Sequence, residues 1–338
     1  MENVKDSIKK KSMRSRRYLS LLLMASLFTF LPKTSAPAQV TEFSQLRLAG
    51  VEIGKERRGP KIPQTRDRSL VPQGLEYIPL TRWYVLTAYV HKNNQQQREA
   101  SKLSVVDEKS GKRVKTVHLY ENSHRKHVGH VGGVTFAKKH LYVASTVGKK
   151  NLLLRYRLKD LQKVKDGEKL MADKVYQLPH RTSYIKYYKE KNWLLIGQWV
   201  PHDGEKEGTL QAYRLDSQGD PHHVREFRTP KSVQGMEVVG DVFFYSVSYN
   251  RRSFGKLYVF KGLGDARPLG VYPLKKSMNQ NLALVARDNR QKANLILAIS
   301  TEAGADKYFD AGIKPDDRIG LYPLRLDERR LKDERVRD

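Results

Sequence analysis

The 338-residue sequence predicts an all-β protein: a five-bladed β-propeller of four-stranded antiparallel blades, with the ring closed by an N-terminal strand. Three observations lead to this fold. A short motif recurs along the chain, each copy opens a unit of strand-like segments, and the last unit is one strand short. Four antiparallel strands repeated about every 50 residues are typical of a propeller, whereas a sandwich or jelly roll does not repeat at this period.

The recurring motif is a turn followed by an apolar strand, and its clearest copies are "VPQGLEYI" (71–78) and "VQGMEVVG" (233–240). Similar segments are "HVGGVTFA", "RTSYIKYY" and "NQNLALVA". The five anchor residues lie 46–59 positions apart and are Gly74, Gly133, Ser183, Gly235 and Asn281. We expect each copy to form the innermost strand of a blade, and the glycine to permit a tight turn into it.

Each unit continues with aromatic and β-branched segments separated by Gly, Asp and Pro. The fourth unit is the clearest, with "GMEVV", "VFFYSVSY", "GKLYVF" and "RPLGVYPL", and the second carries an insertion, "KDLQKVKDGEKLMAD". The middle strands are apolar at most positions instead of alternating. This pattern indicates blades whose two faces are both buried against neighbouring blades.

The fifth unit has three strands, so the missing outer strand must come from elsewhere. The propeller is expected over 71–326, with a closing strand and linker in 39–70 and a charged tail over 327–338. "FSQLRLAGVEI" (43–53) is expected to supply the strand, and "GKERRGPKIPQTRDR" after it to be a loop. Such a closure would remove an open sheet edge. The alternative is a disordered basic leader.

Residues 1–38 have the pattern of a secretory signal peptide, with a basic start, a 14-residue apolar run and an A-x-A-like site. We expect a secreted or extracytoplasmic protein with a cleaved signal peptide. The alternative is that the segment stays uncleaved and anchors the protein in the membrane, and no other contact with a membrane is expected. The chain has no cysteine, which excludes disulfides, thiolate metal sites and cysteine nucleophiles. Export without disulfides favours a bacterial protein.

The net charge of +28 predicts attraction to polyanions, such as a polymer of the cell envelope. The alternative is that the charge serves only solubility. No run of five adjacent basic residues is present, so specific nucleic-acid binding is not expected. We expect a monomer that binds either such a polymer or a small polar ligand.

Propeller geometry predicts where a site would lie. The loop into strand one and the loop between strands two and three share one end of each blade, here called the funnel face. Aromatic, Arg, His and amide side chains in these loops suit a polar or anionic ligand. The candidate binding residues are Gln73, His91, His130, Thr182, Trp199, His202, Gln234, Tyr249, Arg251 and Gln280. The glutamines could instead bond backbone carbonyls between blades.

Two further groups carry ionisable side chains. Glu76 and Glu237 hold matching places in strand one, and a structural role with a buried Arg or backbone N–H partner is favoured over catalysis. His124, His127 and His130 lie three apart, but in a loop and with no matching ligand elsewhere in the sequence. We therefore predict no metal and no cofactor.

The stretches "VPQGLEY", "GHVGGV", "LYVAST" and "SYNRRSFGKLYVF" resemble secreted bacterial β-propeller proteins of unassigned activity, in which the QG and S-Y-x-R motifs recur. The resemblance covers most of 70–326 and implies the fold and export, but no reaction. Five-bladed glycosidases use inner-strand carboxylates, and here only Glu76 and Glu237 come close. Calcium lactonases have an acidic residue where this chain has Gln73, and this difference argues against a lactonase activity.

Two functions remain open from the sequence. The first is a secreted propeller that binds a polar or anionic ligand or an envelope partner on its funnel face. The second is a propeller hydrolase or lyase acting on a sugar or ester, with His130 and a loop acid such as Asp203 in the reaction. The sequence does not decide whether the protein is an enzyme.

Overall fold

The computed structural model of the chain describes residues 46–48, 50–64, 68–92, 95–96, 98–286, 295–303, 316–327, 329 and 331. Five sheets follow one another along the chain, and each is built on four antiparallel strands in chain order or, in the last sheet, on three plus the N-terminal segment. With 58% strand and 4% helix, the chain is an all-β, five-bladed β-propeller, as predicted.

The strands follow in chain order. The N-terminal segment contains β1 (Leu46–Leu48), β2 (Val51–Ile53) and β3 (Arg57–Lys61). Blade 1 contains β4 (Leu70–Ile78), β5 (Trp83–Lys92), the short β6 (Gln95–Gln96), β7 (Lys102–Asp107) and β8 (Arg113–Tyr120). Blade 2 contains β9 (His130–Ala137), β10 (His140–Val147) and β11 (Lys150–Arg157), then helix α1 (Leu158–Lys163), β12 (Lys169–Met171) and β13 (Lys174–Leu178).

The strands of the remaining blades follow in the same way. Blade 3 contains β14 (Tyr184–Tyr188), β15 (Trp193–Gly197), β16 (Gly208–Leu215) and β17 (Pro221–Thr229). Blade 4 contains β18 (Val233–Val239), β19 (Val242–Val247), β20 (Lys256–Phe260) and β21 (Gly270–Pro273). Blade 5 contains β22 (Asn279–Ala286), β23 (Leu295–Thr301) and β24 (Arg318–Leu326).

The apolar cores lie between adjacent blades, one for each of the five interfaces. Blades 1 and 2 bury Val105 against Leu154, blades 3 and 4 bury Leu210 against Phe243, and the ring closes where Leu75 of blade 1 meets the buried aliphatic residues of blade 5. A blade in the ring therefore has two buried faces. This explains why its middle strands are apolar without alternation.

The N-terminal segment closes the ring, as predicted. β2 pairs antiparallel with the end of β24, where Ile53 lies opposite Leu324. β3 pairs with the start of β24, where Leu321 lies opposite Arg57. The prediction that residues after Ile53 form only a loop is therefore wrong for 57–61. Their backbone satisfies an edge of β24 that would otherwise remain open.

The insertion in blade 2 reaches back to blade 1. β12 pairs parallel with the outer strand β8, so blade 1 gains a fifth strand. Helix α1 buries Leu158 and Leu161 in the core between the two blades. The Nζ of Lys115 on β8 donates to three carbonyls at the end of the helix, those of Leu161 (2.8 Å), Gln162 (3.1 Å) and Val164 (2.7 Å).

Several predicted segments lie outside the described residues: the signal peptide 1–38, residues 43–45, and most of the long loop after β23 and of the C-terminal tail. Of the tail, Leu331 is helical and buried in the core between blades 4 and 5. Within the described part of the chain, no helix has the length and apolar character needed to cross a bilayer.

Candidate functional site

The innermost strands β4, β9, β14, β18 and β22 form a ring, in which each strand contacts the innermost strands of the two neighbouring blades. The glycines of the recurring motif lie at the closest contacts. A Cβ on Gly74 would lie 2.8 Å from the Val134 nitrogen, and one on Gly235 would lie 2.5 Å from the Asn281 Cα. Both glycines lie within strands, without the positive φ of a turn. The turn explanation is therefore wrong, and the glycines permit close packing of strands.

Three charged side chains from this ring meet, and are here called the tunnel triad: Glu76 of β4, Lys186 of β14 and Glu237 of β18. The Lys186 Nζ lies 3.0 Å from both carboxylate oxygens of Glu76 and 2.8 Å from the Glu237 Oε2. The side chains are at most 10% exposed. The expectation of a buried structural partner is met, although the cation is a lysine from blade 3.

The other two innermost strands complete the bonding of the tunnel triad. On β9, the Thr135 hydroxyl donates to Glu76 Oε2 at 2.8 Å. On β22, the Leu284 N–H donates to Glu237 Oε2 at 2.6 Å. All five blades thus contribute to one buried polar layer. A lone lysine in the apolar strand "YIKYY" was the available sequence signal for it.

Burial raises the pKa of Glu237 to about 7, with Lys186 opposing the shift and the nearby Glu76 charge adding to it. The pKa of Lys186 is raised by the two carboxylates in spite of its burial. One cation shared by two carboxylates leaves a single excess negative charge when both are ionised. The arrangement joins blades 1, 3 and 4 and gives these carboxylates structural partners in place of solvent.

A second group of side chains lies nearer the funnel-face ends of these strands and is here called the mouth cluster: Gln73, Gln280, Glu302, Tyr89 and His130. The Nε2 atoms of Gln73 and Gln280 both donate to the Oε1 of Glu302, at 2.9 and 3.1 Å. Two predicted residues from blades 1 and 5 thus converge on one carboxylate. Glu302 was not among the predicted residues, although it directly follows β23, in a loop between strands two and three of the kind expected on the funnel face.

Aromatic rings line the same mouth. The ring centroids of Tyr89 and His130 are 4.6 Å apart, and His91 lies 6.4 Å from Tyr89. Burial and the Glu302 charge raise the pKa of the Tyr89 hydroxyl, so it stays protonated at neutral pH. The mouth therefore combines a buried carboxylate, two buried amides and a buried phenol with the half-buried imidazoles of His91 and His130.

His127 belongs to a separate network. Its Nε2 lies 2.7 Å from the Ser145 Oγ, and its Nδ1 lies 3.1 Å from a Glu121 oxygen. The order of groups resembles a serine–histidine–acid relay, but His127 and Ser145 are fully buried. Burial lowers the pKa of His127, with Glu121 opposing the shift. The network ties the loop after β8 to blade 2.

The other predicted residues spread around the funnel face. Thr182 donates to the Ser145 carbonyl at 2.6 Å, and Gln234 donates to the Ser248 carbonyl at 3.2 Å instead of joining Glu302. His202 and Tyr249 have ring centroids 6.0 Å apart, and the Tyr249 hydroxyl donates to Asp203. Trp199 is half-buried and Arg251 is buried. No group of three potential metal-ligating side chains occurs among the described residues.

Exposed cations border this mouth on the loops of blades 2 and 3. Thr146 lies opposite His130, and its hydroxyl is 3.5 Å from the Thr182 hydroxyl, so the ends of β10 and of the loop into β14 lie side by side. These two loops carry exposed cations next to the threonines. We call them the basic patch: Lys149, Lys150 and Arg181.

No protein-family model and no curated protein matches the sequence. Among solved structures, the exo-β-1,3-galactanase of Phanerochaete chrysosporium is similar at 11% identity and a TM-score of 0.46, over 79% of this chain and 63% of that chain. The β-fructofuranosidase of Bombyx mori is 10% identical with a TM-score of 0.43, over 80% and 62% of the two chains. The hydrazine synthase of Kuenenia stuttgartiensis is 10% identical with a TM-score of 0.37, over 71% and 58%. This chain spans about three fifths of the length of each.

Proposed function

We propose that this protein is a secreted binding propeller that holds an anionic polymer of the cell envelope on its funnel face. The observation that carries the proposal is the basic patch beside the mouth cluster. Lys149, Lys150 and Arg181 are exposed on adjoining loops, and the net charge of the chain adds a long-range attraction for polyanions. The half-buried imidazoles of His91 and His130 at the mouth can add polar contacts with the bound segment.

The experiment measures retention of the purified protein on immobilised polygalacturonate and dextran sulfate over a range of salt concentrations. The variant Lys149→Gln/Lys150→Gln/Arg181→Gln should elute at lower salt than the wild type. Its slope of log affinity against log salt should fall by about 2–3, because each lost cation releases one counterion fewer.

A matched control removes three exposed lysines from turns at the opposite end of the blades: Lys109→Gln/Lys189→Gln/Lys191→Gln. It changes the net charge equally, so it should retain the wild-type slope. If both triple variants bind more weakly to the same extent, the interaction depends on net charge alone and not on the basic patch. A wild-type protein that passes through both matrices at low salt would overturn the proposal.

A second proposal is hydrolysis or elimination on a sugar or ester, and it is supported by the carboxylate of Glu302 at the mouth, held by two amides. Glu302 would act as the acid or base, in place of the Asp203 expected from the sequence. A screen of nitrophenyl glycosides and esters should then show turnover that Glu302→Gln abolishes and Glu190→Gln, an exposed glutamate of the opposite face, retains. Equal turnover by both variants would exclude this role.

A further inference from the structure

A groove of about 450 Å³ lies between blades 3 and 4, apart from the mouth cluster and the basic patch. It exists because the outer strand of blade 4 is short. β21 pairs with only the first four residues of β20, Lys256–Val259, so Phe260 continues past the end of the pairing. The neighbouring β17 runs for nine residues, and the space between it and the loop after Phe260 stays open.

The floor of the groove is aromatic. Tyr245 and Phe260 are 2% and 6% exposed, and their rings meet edge to face with centroids 5.5 Å apart and planes at 82°. Tyr258, on the same blade, is half-buried and completes the lining. Two perpendicular rings form a corner in which one apolar face of a small ring can pack while its other side remains accessible.

The rim of the groove is polar and charged. Glu207 and Asp265 bring carboxylates from opposite sides, and Arg228 brings a guanidinium. All three residues are exposed. A carboxylate accepts from two neighbouring hydroxyls, and a guanidinium donates in a fork. Hydroxyl-rich ligands with an apolar ring face match a lining of this kind.

We propose that this groove is a binding site for a single sugar ring. The volume falls within the range of about 300–1,000 Å³ of small-ligand sites, which are mostly apolar with a few directed polar groups. The sugar ring packs on Tyr258 and Phe260, and its hydroxyls donate to Asp265 and Glu207 while Arg228 donates to a ring substituent. A free cation is a poorer match, because the net charge of +28 repels it and Arg228 stands on the rim.

The test is saturation-transfer NMR on the full chain with three probes, methyl β-glucopyranoside, N-acetylglucosamine and galacturonate, and with tetramethylammonium as a cationic probe. Tyr258→Leu keeps an apolar side chain but removes the aromatic face, and Asp265→Asn keeps the shape but removes the charge. At least one sugar should show transfer with the wild type. Each variant should weaken its affinity at least fivefold without lowering the thermal midpoint.

Phe254→Ala is the control, since this aromatic residue is 55% exposed and lies outside the groove. It should bind the sugar like the wild type. The proposal is overturned if none of the three sugars shows transfer, if tetramethylammonium alone binds, or if Tyr258→Leu and Asp265→Asn both bind like the wild type. The groove and the basic patch share no residue. The outcome of this experiment therefore neither supports nor contradicts the proposal that the funnel face binds an anionic polymer.

Discussion

Glu237 couples the stability of this propeller to pH, because its carboxyl is buried beside a second carboxyl. Its ordinary pKa of 4.5 is raised to about 7 in the fold, first by burial. A carboxyl whose pKa is raised on folding contributes stability that is full below the unfolded pKa. That contribution is lost as the pH rises through the folded pKa. The relevant window is therefore about pH 4.5 to 7.

The variant Glu237→Gln should remove this pH dependence, since a glutamine resembles the protonated acid. Between pH 5 and pH 8 the free energy of unfolding of the wild type should fall by about 1–3 kcal/mol relative to that of the variant. Urea denaturation followed by circular dichroism at both pH values measures the difference. Glu190→Gln, which removes an exposed carboxylate, should stay parallel to the wild type. A constant gap between Glu237→Gln and the wild type would contradict the assignment.

At the scale of single residues, sequence reasoning located polar side chains better than their partners. Gln73 and Gln280 were expected at the mouth from their spacing to the anchor residues, and they lie together there. Their common acceptor, Glu302, follows the last residue of β23 and belongs to a different strand connection. Likewise, Lys186 meets Glu76 only because blades 1 and 3 face each other across a ring of five. Such partners depend on the closed geometry, which no local pattern encodes.

The last carbonyls of helix α1 accept hydrogen bonds from Lys115, a buried lysine on β8. These bonds hold the blade 2 insertion against blade 1. The three carbonyls bonded by the Lys115 Nζ are among those that a helix leaves without an internal partner. Lys115→Met keeps most of the side-chain length but removes the donor. Unsatisfied acceptors that are partly buried should cost about 1–3 kcal/mol of unfolding free energy.

Hydrogen exchange distinguishes this local effect from global destabilisation. Lys115→Met should lose protection first in 158–171, the helix and β12, while the five blade cores keep theirs. Lys163→Met removes an exposed lysine from the last turn of the same helix and should leave exchange unchanged. Identical protection in both variants would mean that the lysine does not hold the insertion.

At the scale of elements, apolar strands were predictable and polar ones were not. β2 was expected because the last unit lacked its outer strand and "FSQLRLAGVEI" could supply it, and Val51 and Ile53 of β2 are indeed buried. β3 has the sequence "RRGPK", which is typical of a loop. It forms a strand because residues 318–321 of β24 present an open edge with which its backbone can pair. β12 likewise buries only one side chain, that of Leu170, since Lys169 and Met171 are exposed, and it is a strand because its backbone pairs with β8.

The whole molecule is held together by ring closure, since the chain contains no cysteine for a disulfide. The N-terminal strands bring Val51 and Ile53, at most 1% exposed, into the core between blades 4 and 5. They also supply the hydrogen-bond partners along both ends of β24. Blade 5 is therefore complete only when the two ends of the propeller are joined. Because each blade packs on two neighbours, loosening one blade exposes two interfaces.

A variant that lacks residues 46–61 should unfold at a lower temperature than the wild type. Two buried aliphatic side chains and the lost strand pairing together amount to on the order of 5 kcal/mol. That loss corresponds to a fall of about 5–10 °C in the thermal midpoint for a protein of this size. Calorimetry measures the midpoint, and hydrogen exchange should show protection lost in β24 first and then at the contact between β22 and β4.

Two milder substitutions separate closure from the disturbance of a deletion. Ile53→Ala removes a fully buried side chain from β2 and should cost about 2–5 kcal/mol, with exchange rising in β24. Glu52→Ala changes the adjacent residue, which is half-buried and lies on the other side of the strand, and should leave the midpoint within a degree or two. If the deletion and Ile53→Ala both unfold at the wild-type temperature, the ring does not depend on its N-terminal strands, and the cores between the other blades must hold it alone.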